Sequence, residues 1–152
     1  MARRFRFRLE PVLRQRERVE EARLRDFAEA QRGVVAAEEY LHRLADEKSQ
    51  EQQEIVRLYE ARAPFEEVLR VHQYLNTVNL RAGFGQRALA QHAAVAAQRR
   101  GFLLEARQRR RALELLKERQ RAAHRAEQER AERRELDSLA IQRHRVSGVE
   151  ET

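Results

Sequence analysis

Residues 27–64 read FAEAQRGVVAAEEYLHRLADEKSQEQQEIVRLYEARAP. Within them Phe27, Ala30, Val34, Ala37, Leu41, Leu44, Lys48, Glu51, Ile55 and Leu58 recur in alternating steps of three and four, and eight of these ten are apolar. That spacing is a heptad seam, which one long helix presents to another. The stretch then closes on Ala61-Arg62-Ala63-Pro64. Pro64 inside a helix would remove a hydrogen bond and clash with the preceding turn, yet it suits the start of a new one. The pattern therefore predicts an all-α fold, an elongated antiparallel two-helix coiled-coil hairpin, with residues 61–64 as its turn.

Working outward, the first helix is expected from about Glu10 to Glu60. Pro11 falls in its first turn, where a missing N–H costs nothing. Leu9 and Leu13 continue the stripe upstream, but Arg16, Glu20 and Arg23 interrupt it, so the seam there is weak or faces something else. The second helix is expected from about Pro64 to Arg145. Its stripe is Val68, Val71, Leu75, Val78, Ala82, Gly85, Leu89, His92, Ala96, Arg99, Leu103, Ala106, Arg110 and Leu113. Residues 1–152 thus read as one coiled-coil domain with a frayed tail over 146–152. A rival turn at Gly83-Phe84-Gly85 stays open, because two nearby glycines each weaken a helix by roughly 1 kcal/mol. Packing favours Pro64: folding about residues 62–63 sets Leu41 against Gly85 and Phe27 against Ala96, large against small.

The two arms differ in length, roughly 75 Å against roughly 120 Å at the α-helical rise. Helix two past about Gln120 is expected to overhang without a partner in the chain. From Arg121 to Arg134 it holds almost no large apolar residue, and isolated polar helix is marginal in water. Leu136, Leu139 and Ile141 follow, either as a second weak seam against Phe5, Phe7 and Leu9 or as a docking patch.

Composition supports a helix pair over a globule. Charged residues make up 38% of the chain, against five Gly, two Pro and no Trp or Cys. The missing cysteines exclude disulfides and thiolate chemistry and fit a reducing compartment. No apolar run reaches the roughly 18 residues of a membrane span, and the basic opening MARRFRFRLEP lacks the apolar core of a secretory signal. Phosphate loops, H-E-x-x-H and G-x-S-x-G are all absent. The five histidines never stand four apart. Carboxylates on solvated helices lack the burial that tunes a general acid. No enzyme activity, cofactor or metal site is expected.

The formal net charge is +7, unevenly spread. Residues 38–80 hold nine acidic and five basic side chains, residues 99–134 thirteen basic and six acidic, and residues 1–8 four Arg and no acid. A hairpin would bring those basic stretches to one end, beside Arg109, Arg110 and Arg111, and leave the turn end mildly acidic. Such a dipole suits two different partners. A basic coiled-coil nucleic-acid binder is an alternative, weakened by Glu114, Glu118, Glu127, Glu129 and Glu132, which would repel phosphates, and by the lack of a reading module.

The two ends and the stretch after the turn carry a resemblance. Residues 5–31, FRFRLEPVLRQRERVEEARLRDFAEAQ, resemble the opening of the flagellar export protein FliJ family: basic–aromatic alternation, a Leu, the pair Val12-Leu13, then a charged helix. VHQYLNTV (71–78) looks like the family's helix just after its turn, and ERRELDSLAIQR (132–143) like its C-terminal signature. The resemblance spans nearly the whole chain in order. The Gly83-Phe84-Gly85 step and the Arg richness depart from the family.

It implies a non-enzymatic, stalk-like coiled coil of the type III export apparatus, cytoplasmic and peripheral at the inner face of the membrane. The implied partners are the hexameric export ATPase, which it would bind and stimulate, the cytoplasmic domain of the export gate protein, and export chaperones. Nucleic acid is not expected, and the membrane is met only through partners. An injection-type secretion system has stalk proteins of the same design and is the alternative.

Two surfaces follow. The basic end, with Arg3, Arg4, Phe5, Arg6, Phe7, Arg8, Leu136 and Leu139, is expected to meet acidic groups of the ATPase ring. Family gate contacts lie on the turn-side half, where Tyr40, Leu44, Tyr74 and Val78 match in type while Glu47, Glu51 and Arg81 do not. Leu44 and Val78 also lie on the seam, whereas Tyr40 and Tyr74 fall just off it. The expected core is Phe27, Val34, Leu41, Leu44, Ile55, Leu58, Val68, Val71, Leu75, Val78, Leu89, Ala96, Leu103 and Leu113.

Overall fold

Good helix formers fill the chain between two punctuation points, and the backbone follows them. The computed structural model describes residues 4–147. It contains two helices, α1 (Glu10–Glu60) and the longer α2 (Phe65–Ser147), packed against each other as a hairpin. Glu10 stands in the first turn of α1 and Glu66 and Glu67 in that of α2. Their carboxylates favour the positive N-terminal ends of the helix dipoles. α2 runs past the expected stop near Arg145 to Ser147. The rest of the expected tail, residues 148–152, lies outside the described residues, as does Arg3.

The turn is built by backbone hydrogen bonds. Ala63 N–H donates to the Leu58 carbonyl at 3.0 Å, and Arg62 N–H to the Tyr59 carbonyl at 3.1 Å. This pair is a Schellman motif, with Arg62 as the left-handed residue after the helix. Arg62 has φ 52°, a conformation in which the side chain crowds the backbone. Pro64 then lends its carbonyl to Glu67 N–H at 3.0 Å and opens α2. Gly83 and Gly85 lie well inside α2 with helical backbone, so the glycine turn is not used. Tertiary packing overrides the weak propensity there.

The contacts divide the chain into two compact units, Glu20–Ala106 and a second made of the described parts of Met1–Val19 and Arg107–Thr152. In the unit that contains the turn, Leu44, Val68, Leu75, Val78, Ala96, Leu103 and Ala106 are buried, Val78 to 1% exposure. Phe27, Val34, Leu41, Ile55, Leu58, Val71 and Leu89 are half-buried. A fully buried Val or Leu contributes about 1.5–3 kcal/mol, so Val78 and Leu44 anchor this seam.

Its register is visible at Gly85. A methyl group added there would stand 2.8 Å from Leu41 Cδ2 and 3.3 Å from the Tyr40 ring, while one on Gly33 would stand 2.8 Å from His92 Nδ1. Small residues therefore let the helices approach, with Leu41 opposite Gly85 as the fold-back requires. Two seam positions differ from the heptad reading. Lys48 is exposed, and neighbouring Glu47 is half-buried in its stead; His92 is exposed, its ring leaning over Gly33. Long polar side chains bury their stems and keep their polar tips in water.

The interrupted stretch is a polar seam. Arg23 lies over the Phe102 ring at 5.1 Å, and Asp26 takes Arg23 at 3.7 Å and Arg99 from α2 at 3.8 Å. These pairs are about 40% exposed, so each adds at most about 1 kcal/mol and mainly fixes register.

In the second unit Phe7 and Leu13 are buried and Leu113 is half-buried. Residues 4–9 precede α1 as a non-helical arm whose course is set by aromatic anchors. Phe5 packs against the His124 ring, centroids 5.6 Å apart and tilted 56°. The arm thus accompanies α2 beyond Gln120, where the sequence pattern placed the start of an overhang. Gln128 is also half-buried. Leu136, Leu139 and Ile141 are more than half exposed, so they form no seam with Phe5, Phe7 and Leu9. The arm spends its aromatic side chains two or more turns earlier along α2.

Candidate functional site

The arm and the first turns of α1 enclose a basic cleft. Two devices hold the arm down. Phe7 is 5% exposed and lies under Lys117 Nζ, 5.9 Å from the ring centroid. Lys117 also pairs with Glu10 at 2.7 Å, which ties α2 to the N-terminus of α1. A further backbone bond, Glu10 N–H to the Phe7 carbonyl at 3.2 Å, leads the arm into the helix. The cleft that results has a volume of about 1050 Å³ and is walled by Arg4, Arg6, Arg8, Arg14, Arg18 and Lys117, with Glu10 as its one carboxylate.

Several arginines outside the cleft are paired locally. Arg25 meets Glu21, Arg57 meets Glu54, and Arg110 and Arg111 both meet Glu114. Glu114 illustrates the balance. Partial burial pushes its carboxyl up, but hydrogen bonds and charge from Arg110 and Arg111 outweigh that and hold it below the usual carboxylate range. Arg111 reaches Glu118 as well, at 3.5 Å. In the cleft the only carboxylate is already taken by Lys117.

Of the residues expected to meet an ATPase, Arg4, Arg6 and Arg8 are exposed and Phe5 is half-buried in the arm. Phe7 is buried: it anchors the arm and is not free to meet a partner. Leu136 and Leu139 are 66% and 54% exposed. Arg14, Arg18 and Lys117 share the cleft with the arm, though nothing in the heptads marked them. The readable signal was the i,i+4 pair of arginines just after Pro11 and one of only two lysines in an Arg-rich chain.

In the turn-containing unit, the four expected gate residues separate into two kinds. Leu44 and Val78 are 4% and 1% exposed and join the helices, so they present nothing to a partner. Tyr40 and Tyr74 are each 39% exposed. Tyr74 Oη donates to Glu47 Oε2 across the hairpin at 3.2 Å. That hydrogen bond, with the Glu47 charge behind it, raises the Tyr74 pKa. Tyr40 borders a shallow apolar groove of about 420 Å³, shared with Ala36, Ala37, Phe84, Ala88 and His92. Phe84, off the seam stripe beside Gly85, is 64% exposed with Arg87 over its ring at 5.1 Å.

Among the described residues no group of His, Asp or Glu could hold a metal ion, and no helix is long and apolar enough to cross a membrane. What the molecule offers is surface: a basic cleft and exposed leucines in one unit, and in the other Tyr40 beside a groove and Tyr74 bonded to Glu47.

Comparison with protein families matches residues 5–148 to the family described as Flagellar FliJ protein. The chain belongs to the FliJ family. The match covers the arm, both helices and the exposed leucines near the end of α2, and it makes this FliJ-family chain a component of the flagellar export apparatus. Searches of curated proteins and of solved structures find no match.

Proposed function

We propose that this FliJ-family protein is a non-enzymatic, stalk-like binding component of the export apparatus. It acts in the cytoplasm at the inner face of the membrane, where it binds and stimulates the hexameric export ATPase and links it to the export gate and to export chaperones. The observation that carries the reading is the family match over residues 5–148. It favours a flagellar system over an injection-type one. The structure supports a division of labour. The unit that holds the arm carries Arg4, Arg6, Arg8, Leu136 and Leu139 toward the ATPase. The turn-containing unit offers Tyr40 and Tyr74 to the cytoplasmic domain of the gate protein. Tyrosines of this kind, half-exposed and held by packing or a hydrogen bond, are effective interface residues.

Co-purification with the export ATPase tests the reading, together with ATP turnover measured with and without the chain. Binding with a rise in turnover is expected. Nucleic-acid binding at physiological salt with no effect on the ATPase would overturn it, since a nucleic-acid binder loses affinity steeply with salt through counterion release.

A further inference from the structure

We propose that the cleft between the arm and the first turns of α1 is a receptor for an acidic, partly apolar peptide segment of a partner protein. Three observations lead there. The first is uncompensated charge. Arg4, Arg6, Arg8, Arg14, Arg18 and Lys117 converge on one cavity, and its only carboxylate, Glu10, is engaged by Lys117 at 2.7 Å. Gathering guanidinium groups without counter-charge costs free energy that a polyanionic ligand recovers. The paired arginines elsewhere on the helices have no such need.

The second observation is shape. At about 1050 Å³ the cavity lies at the upper end of the range for ligand sites. Its lining runs from Arg4 through the arm to Arg18 of α1, so several residues of peptide fit better than a single small anion. The third is the chemistry of the walls. Phe5 and Pro11 stand among the arginines, a mixed surface that suits carboxylates interleaved with apolar side chains. Guanidinium groups take carboxylates in a bidentate fork. A simple phosphate anion has no apolar part to set against Phe5 and Pro11.

The arm itself makes the receptor. It is not helical, so its side chains follow no helical period, and Phe7 and the Phe5–His124 contact hold it. The proposal rests on the ATPase reading of this unit only for the identity of the partner.

The test uses the full chain and a labelled peptide that alternates Glu with Leu and Phe, followed by fluorescence anisotropy. Wild type is expected to bind it. Arg14→Glu with Arg18→Glu should weaken binding roughly tenfold or more, about 1.4 kcal/mol, with helicity and melting unchanged, because both side chains are exposed. Arg4→Gln, Arg6→Gln and Arg8→Gln together should do the same from the opposite wall. A matched peptide with Gln for Glu should bind at least as weakly as the variants. Unchanged affinity in both variants would overturn the proposal, as would equal binding of the Gln peptide. So would tighter binding, through the same arginines, of an oligothymidine or of vesicles containing phosphatidylglycerol. ATPase stimulation separates this claim from the one it builds on. A double variant that loses the peptide but still stimulates the ATPase supports the cleft and sinks its assignment to that enzyme. If both variants keep the peptide yet fail to stimulate, the cleft is refuted and the ATPase reading stays intact.

Discussion

Tyr74 and Arg62 show what single residues do in a fold held by one narrow seam. The hydroxyl of Tyr74 donates to Glu47 across the hairpin, and a donor bonded to a carboxylate resists giving up its proton. Its folded pKa is therefore raised above that of the unfolded chain. The stability it contributes is complete below the unfolded tyrosine pKa and is lost as pH rises through the folded value. A spectrophotometric titration should find Tyr74 ionising above the ordinary tyrosine value, and Glu47→Gln should bring it back down. An unshifted Tyr74 in wild type would mean that the bond is not populated. Arg62 makes the opposite case, a residue that works against the fold. Its left-handed φ of 52° costs a non-glycine residue roughly 1–2 kcal/mol. Arg62→Gly should thus stabilise the hairpin, less the added entropy of a glycine in the unfolded chain, by about 0.5–1 kcal/mol in denaturant melts. A loss of stability would show that the Arg62 side chain has a favourable role.

At the scale of the element, the glycines of α2 separate helix propensity from packing. A methyl group on Gly83 or Gly101 meets nothing within 4 Å. Gly83→Ala and Gly101→Ala should each raise stability by roughly 1 kcal/mol. At Gly85 the same gain is offset by the 2.8 Å approach to Leu41 Cδ2, so thermal melts should show Gly85→Ala well below the other two. Leu44→Ala should cost about 2–4 kcal/mol and exposed Phe84→Ala under about 0.5 kcal/mol. A reversal of that order would contradict the register. The register was legible from the sequence because period and bulk agree: Leu41 faces Gly85, and the two apolar stripes align only when the chain folds near Pro64. The polar seam at Arg16, Glu20 and Arg23 was legible only as a gap, since heptad spacing does not reveal that Arg23 lies over Phe102. The arm was not legible at all. Residues 4–9 follow no period, and the burial of Phe7 depends on Lys117, more than a hundred residues away in sequence. For that reason nothing in the heptad pattern marks Arg14 and Arg18 as cleft residues.

For the whole molecule, the question is whether the two units serve different partners. Leu136 and Leu139 are exposed, touch no seam and sit near the end of α2 in the unit that carries the arm. Tyr40 and Tyr74 sit in the other, where exposed aromatic surface is anchored by Gly85 and Glu47. Polar replacement at Leu136 and Leu139 should leave folding nearly untouched, because exposed side chains without partners change stability by about 0.5 kcal/mol or less. Effects on binding can then be read directly. Leu136→Ser with Leu139→Ser should reduce ATPase stimulation while gate-protein binding persists. Tyr40→Ser should weaken gate binding alone, as should Tyr74→Phe if the bond to Glu47 orients the ring. The arginines should act mainly on encounter, so raised salt should slow association with the ATPase more than it speeds dissociation. The crossed result would exchange the two assignments: gate binding lost with the leucines, and ATPase stimulation lost with the tyrosines. Loss of both functions in either variant would mean that the units do not act separately, and that one partner's site depends on the integrity of the other's.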